Sequence, residues 1–136
     1  MDMMRALVVA GEGLKAQAAR MRLISENIAN SDSTSESPGG DPYRRKIPVF
    51  RAVVDRELGA TSVKVSSVRR DQAPFESRLD PGNPAADAQG FVKYPNVNTL
   101  IEQADMREAQ RSYEANLNII TATRRMITRT IDILRA

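Results

Sequence analysis

A chain of 136 residues and 15.0 kDa holds one small domain, or one compact piece with long helices, and excludes a multidomain enzyme. Apolar residues make up 41% but aromatics only 4%, with no Trp, so a thick globular core is not expected; Cys and His are both absent, which removes thiol nucleophiles, disulfides, imidazole bases and nearly all zinc or haem ligation. Twenty Lys and Arg oppose seventeen Asp and Glu for a net charge of +3, and sixteen of the twenty are Arg, whose forked pairing with carboxylates suits protein interfaces as well as nucleic acid.

Met4, Leu7, Gly11, Leu14, Ala18, Met21, Ser25 and Ile28 are spaced alternately three and four apart, with no Pro before Pro38, which predicts an N-terminal helix with a heptad seam. Gly11 and Ser25 narrow that seam and would let another backbone approach. The run ALVVA at 6–10 is the longest apolar stretch, far short of the roughly 20 residues that cross a bilayer. Ala16-Gln17-Ala18 imitates a signal-peptidase site, but Glu12 and Lys15 interrupt the stretch before it, so no cleaved secretory signal is expected.

Residues 31–42, SDSTSESPGGDP, read as a flexible connector. Residues 43–54 and 61–70 carry β-branched residues in partial alternation and predict a short hairpin around Asp55 to Ala60, with Pro48 placing the first strand at an edge. Asp80-Pro81-Gly82 fits a type II turn, Asn83-Pro84 holds the next step extended, and Gly90 to Tyr94 is a third short extended run ending at Pro95. Residues 43–98 thus form a hairpin- and turn-rich middle segment between two terminal helical segments, 1–30 and 99–136.

Thr99 with Glu102 reads as a capping box, and no Pro or Gly follows, so a helix of about 37 residues and ~55 Å is predicted. Its seam is Met106, Tyr113, Leu117, Ile120, Arg124, Ile127, Ile131 and Leu134, widened by Ile119, Met126 and Ile133 seven apart. A helix this long in so small a chain cannot bury all its faces on its own fold, which calls for a coiled-coil-like partner. If the two helices run antiparallel with Met1 near Ala136, Arg5 levels with Asp132, Glu12 with Arg125 and Glu26 with Arg111, all opposite in sign.

No phosphate loop, dinucleotide fingerprint, nucleophile elbow or metal-ligand spacing is present. Asp55 and Glu57 could pair as acid and base but read better as a solvated turn. Arg44, Arg45 and Lys46 form the only dense basic triplet; Ile47, Val49 and Phe50 make it a strand start with a charged rim in preference to a nucleic-acid clamp. Arg124, the charged residue in the C-terminal seam, either snorkels past its apolar neighbours or sets register against a partner carboxylate.

Specific strings go beyond periodicity. SENIANSDS at 25–33 resembles the Asn-rich segment that closes the N-terminal helix of flagellar axial proteins. PYRRKIPVF at 42–50, DPGNPAADAQGFVKYPNVN at 80–98 and RSYEANLNII at 111–120 resemble signatures of the proximal-rod family of the bacterial flagellar basal body, the FlgC type. Residues matching that pattern are Asn27 and Asn30, Tyr43, Arg44 and Arg45, Pro81, Gly82 and Pro84, and Pro95, Asn96 and Val97. The Ser-rich link at 31–42 departs from the Thr-Pro-Gly-Tyr-type turn common after the Asn-rich segment.

The resemblance implies a mainly α structural subunit whose terminal helices pack as an antiparallel coiled-coil-like pair and polymerise into the rod. The assembly interface would be Met4, Leu7, Leu14, Ala18, Met21 and Ile28 on the first helix. On the second it would be Tyr113, Leu117, Ile120, Arg124, Ile127, Ile131 and Leu134. It further implies export through the flagellar type III apparatus without signal cleavage, a periplasmic basal-body location, other rod subunits as partners, no membrane insertion, no nucleic acid and no cofactor. The alternative from another class is a small basic nucleic-acid-associated helical protein, supported by pI and Arg count alone; an enzyme is a distant third.

Overall fold

The computed structural model describes residues 2–135; Met1 and Ala136, the outermost residues of the two expected helical segments, lie outside the described residues. The order of elements is α1 (Met3–Ala29), β1 (Lys46–Asp55), β2 (Ala60–Arg70), β3 (Glu76–Leu79), β4 (Phe91–Tyr94) and α2 (Thr99–Arg135). Two long helices therefore flank a small strand-containing middle, as the sequence predicts. The chain divides into two compact units. The first comprises Met1–Met21, Pro48–Ser67 and Arg107–Ala136, the second Arg22–Ile47 and Val68–Met106.

The end of α1 and the start of α2 are each closed by an Asn. At the end of α1, Asn30 Nδ2 donates to the Glu26 carbonyl (2.8 Å) and its Oδ1 accepts from Ser33 Oγ (3.0 Å). At the start of α2, Asn98 Oδ1 accepts the amides of Leu100 (3.1 Å) and Ile101 (3.3 Å). The cap is thus Asn98 and not the predicted Thr99 box, because the Glu102 carboxylate that would complete the box is drawn inward to an Arg.

In the first unit, β1 and β2 form a two-stranded sheet joined by a tight turn, where Asp55 Oδ1 accepts the amides of Glu57 (3.0 Å) and Leu58 (3.1 Å) and Gly59 takes a positive φ of 59°. Asp55 and Glu57 are therefore turn residues, and Pro48 sits on a sheet in which both strands are edges. Ala10, Gly13 and Ala16 of α1 are buried together with Ala109 and Thr123 of α2. A Cβ on Gly13 would lie 2.7 Å from Asn116 Oδ1, while one on Gly11 would meet nothing within 4 Å. The close approach expected at Gly11 occurs at Gly13, so the face of α1 turned to α2 differs from the predicted apolar stripe.

The register also differs from the expected one. Gly13 meets Asn116, and Arg20 Nη2 lies 3.3 Å from Glu108 Oε2. The helices run in opposite directions, but level residues sum to 129 or 128 instead of 137, a slip of about eight residues or ~12 Å. Arg5 accordingly lies over the hairpin turn at Gly59, and Glu12 pairs with Lys15 on its own helix at 2.9 Å. The residues of α2 beyond Met126 have no level partner on α1, because α1 starts at Met3.

In the second unit, β3 and β4 pair antiparallel with Glu76↔Tyr94, Ser77↔Lys93, Arg78↔Val92 and Leu79↔Phe91 in register. β3 escapes the sequence pattern because all four of its residues are exposed and it carries no β-branched residue. Asn83 N–H donates to the Asp80 carbonyl (3.2 Å), but Gly82 does not take a positive φ, so this turn is not type II; between β3 and β4 the left-handed glycine is Gly90, with φ 85°. The Ser-rich connector forms no helix or strand and is tied down by Tyr43 N–H to the Ser33 carbonyl (3.1 Å) and Gly39 N–H to the Ala85 carbonyl (3.1 Å).

Candidate assembly surface

Within the second unit the residues of three separated sequence strings converge on one polar cluster. Asn27, 1% exposed, uses every donor and acceptor that a side-chain amide owns. Its Oδ1 accepts from Tyr43 Oη (2.8 Å) and Lys46 N–H (2.9 Å), and its Nδ2 donates to the Lys46 carbonyl (2.9 Å) and Glu102 Oε2 (3.2 Å). The amide thus pairs with Lys46 as a neighbouring strand would, and neither Asp nor Gln reproduces both halves at that reach. Glu102, fully buried, receives Arg45 Nε on its other oxygen.

Asn96 performs the matching task on the far side of Arg45. Its Oδ1 accepts the Arg45 amide (2.8 Å) and its Nδ2 donates to the carbonyls of Asp71 (3.0 Å) and Ala73 (3.1 Å). The Arg45 guanidinium is shared among Glu102, Asp71 Oδ2 (3.4 Å) and Asp105 Oδ2 (3.6 Å). Burial alone would lower the Arg45 pKa, but the hydrogen bond and charge of Glu102, with help from Asp71, outweigh it and raise the pKa above the usual value. The Tyr43 hydroxyl is pushed up to about 12, first by burial and then by the charges of Glu26 and Glu102.

All three members of the basic triplet are spent inside this unit. Arg44 donates to the Asp71 and Ala73 carbonyls (2.8 and 3.2 Å) with its guanidinium 4.1 Å from the centre of the Phe75 ring, Arg45 holds the carboxylates, and Lys46 pairs with Glu26. The triplet leads into β1, which starts at Lys46, but Arg44 and Arg45 precede the strand and their heads turn to internal partners, so no charged rim forms. Pro95 is buried and Val97 half-buried on the approach to the Asn98 cap, while Pro81, Gly82 and Pro84 lie on the turn before β4. Sequence reasoning missed Glu102, Asp71 and Asp105. A Glu at a position where a first-turn cap was already expected gave no sign of being a core residue.

The first unit supplies a surface of another kind. In α2 the positions that face inward recur every seven residues as Ala109, Asn116 and Thr123, small or polar groups, with Tyr113, Ile120 and Ile127 half-buried beside them. Rows seven apart run nearly straight along a helix. On one flank of the inward row Leu117, Arg124 and Ile131 are exposed, and on the other Ile119, Met126 and Ile133 are 47%, 50% and 76% exposed. Leu134, at 81%, ends the helix past the start of α1. In α1, Met4 and Ala18 are exposed and Leu7, Leu14, Met21 and Ile28 half-buried, whereas the buried positions are Ala10, Gly13, Ala16, Leu23, Ile24 and Asn27.

The larger apolar side chains of α2 are thus concentrated on faces that its own chain does not cover. Among the described residues no three His, Cys, Asp or Glu are placed to hold a metal ion. No helix among the described residues is long and apolar enough to cross a membrane.

Comparison with known proteins finds relatives along nearly the whole chain. The family model described as "Flagella basal body rod protein" matches residues 7–35, and that described as "Flagellar basal body rod FlgEFG protein C-terminal" matches residues 88–133. The flagellar basal-body rod protein FlgC of Agrobacterium fabrum is 54% identical over 128 residues, covering 94% of this chain and 92% of its own length. Its namesakes from Salmonella typhimurium (39% over 125 residues, 92% of each chain) and Aquifex aeolicus (38% over 133 residues, 97% of each) are similar along the same span.

Proposed function

Since the chain belongs to the FlgC family of flagellar basal-body rod proteins, it is a structural rod subunit and not an enzyme, and we propose that it builds the proximal segment of the rod through its terminal helices. The observation that carries this reading is the exposure of Leu117, Ile119, Met126, Ile131, Ile133 and Leu134 on a helix whose inward row is Ala109, Asn116 and Thr123. Burying each large side chain against a neighbour contributes roughly 1.5–3 kcal/mol. A coiled-coil-like layer formed with neighbouring subunits gives these rows the partner that the single chain lacks.

In this proposal the interface comprises Met4, Leu7, Leu14, Ala18, Met21 and Ile28 of α1 with Tyr113, Leu117, Ile120, Arg124, Ile127, Ile131 and Leu134 of α2. The polar cluster around Asn27 and Glu102 holds the second unit together. The chain reaches the periplasm through the flagellar type III apparatus, unfolded and without signal cleavage, and joins other rod subunits there. The basic triplet is committed to internal partners and so lends no support to the nucleic-acid alternative. Electron microscopy of basal bodies from a strain carrying a tagged copy tests the proposal: extra density in the proximal rod is expected, and density elsewhere or none would overturn it.

A further inference from the structure

The two ends of the charge distribution each surround an exposed apolar patch, and we propose that these patches are two halves of a contact between copies of this chain. The Leu79–Phe91 edge of the β3–β4 hairpin in one copy seats on the Ile119, Met126 and Ile133 row of α2 in a second. This rests on the rod-subunit reading and names a partner for that helix row.

Leu79 and Phe91 face each other directly across the hairpin and are 66% and 44% exposed. The edge is preformed. Asp87 Oδ1 accepts the amides of Gln89 (2.8 Å) and Phe91 (3.0 Å), Asp80 N–H donates to the Gly90 carbonyl (3.0 Å), and Gly39 N–H ties the loop to the connector. Little conformational freedom remains to be lost on docking.

The rim of this edge is acidic. Residues 80–91 hold Asp80 and Asp87 with no Lys or Arg, and the connector bonded to them, 31–42, holds Asp32, Glu36 and Asp41 with none. The basic heads nearby are already matched: Lys93 with Asp41 at 3.2 Å, and Arg78 with Glu76 at 3.2 Å and stacked on Tyr94. From Leu117 to Arg135 the balance is reversed, with Arg124, Arg125, Arg129 and Arg135 against Asp132 alone. Arg129 lies one helical turn from both Met126 and Ile133, beside the apolar row.

Matching acidic to acidic or basic to basic would set like charges against each other, so identical patches repel and unlike ones attract. The contact therefore joins unlike patches. In a head-to-tail pair one copy keeps its helix row free and the other keeps its hairpin edge free, so further copies can add at both ends.

The chain has no Cys, so introduced thiols report on single positions. Purified full-length Phe91→Cys and Ile133→Cys chains are mixed in equal amounts and oxidised. The ratio of mixed disulfide to the two homodimers together should exceed its random-pairing value about tenfold, equivalent to ~1.4 kcal/mol of preference, and the excess should shrink as salt is raised. Leu79→Cys with Met126→Cys, also exposed positions, repeats the measurement without altering the first pair. Random pairing in both sets, or an excess of either homodimer, overturns the contact. Absence of the tagged chain from basal bodies would remove the rod reading and leave a mixed-disulfide excess standing, whereas random pairing by a chain found in the rod overturns this contact alone.

Discussion

Replacing Arg45 by Met tests the buried cluster of the second unit. The substitution keeps much of the stem volume and deletes the guanidinium, leaving Glu102 fully buried with Asn27 Nδ2 at 3.2 Å as its remaining named partner and Asp71 and Asp105 without the charge between them. Stranding a buried charge in this way costs about 3–5 kcal/mol. Because the Arg45 side chain is 22% exposed, the lower end of that range is expected. Even 3 kcal/mol is a large share of the roughly 5–15 kcal/mol that holds a small protein folded. Arg45→Met with Glu102→Leu removes both charges and should restore at least half of the loss, a coupling of about 1.5 kcal/mol or more. Urea unfolding followed by circular dichroism reads both values, with the m-value checked for constancy. A cost below about 1 kcal/mol for the single variant, or simple additivity in the double, would refute the argument that these two groups stabilise each other.

Other consequences are smaller and separable. Gly11→Ala should stabilise α1 by about 0.5–1 kcal/mol, because its new Cβ meets nothing, whereas Gly13→Ala should gain nothing or lose stability against Asn116 Oδ1 until Asn116→Ala opens the space; thermal melts of the four chains decide this. Asn98→Ala should cost about 1 kcal/mol through the lost cap and Thr99→Ala a few tenths, and equal effects in denaturant titrations would restore Thr99 as the cap. The raised Tyr43 pKa stabilises the folded state fully below the unfolded value near 10 and loses that contribution as pH climbs through about 12. The stability difference between the native chain and Tyr43→Phe should therefore stay constant up to about pH 10 and narrow between 10 and 12. A gap that already narrows below pH 9 in unfolding titrations would count against Tyr43 as the titrating group.

The helices were legible because their interiors lack Pro and their apolar residues recur at helical spacing. Their mutual packing was not. The inward faces are built from Ala10, Gly13 and Ala16 against Ala109, Asn116 and Thr123, which carry weak hydropathy, while Leu117, Ile119, Met126, Ile131, Ile133 and Leu134 stay exposed. A reading that takes the most apolar stripe as the in-chain seam therefore finds the wrong face and, with level ends assumed, the wrong register. The hairpin around Asp55 was legible from β-branched residues and turn chemistry, but β3, with Glu, Ser and Arg exposed, had no pattern to betray it.

The matched strings marked Asn27, Tyr43, Arg45 and Asn96 without revealing why they belong together. Their meeting depends on contacts between residues up to 75 positions apart, which no local window contains. Glu102 shows the same limit from the other side. Its spacing from Thr99 satisfied a local rule, and a long-range partner, Arg45, claimed it instead.

Incorporation into basal bodies is the most direct measurement of whether the exposed α2 rows join the subunit to the rod. A chain carrying Leu117→Asp and Ile131→Asp, both at exposed positions, should keep its circular dichroism spectrum and stay within about 0.5 kcal/mol of the native chain in urea for each change. It should nevertheless be missing from isolated basal bodies, and the strain should not swim. Native amounts of the doubly substituted chain in purified rods, with normal motility, would contradict the assignment of these rows to assembly.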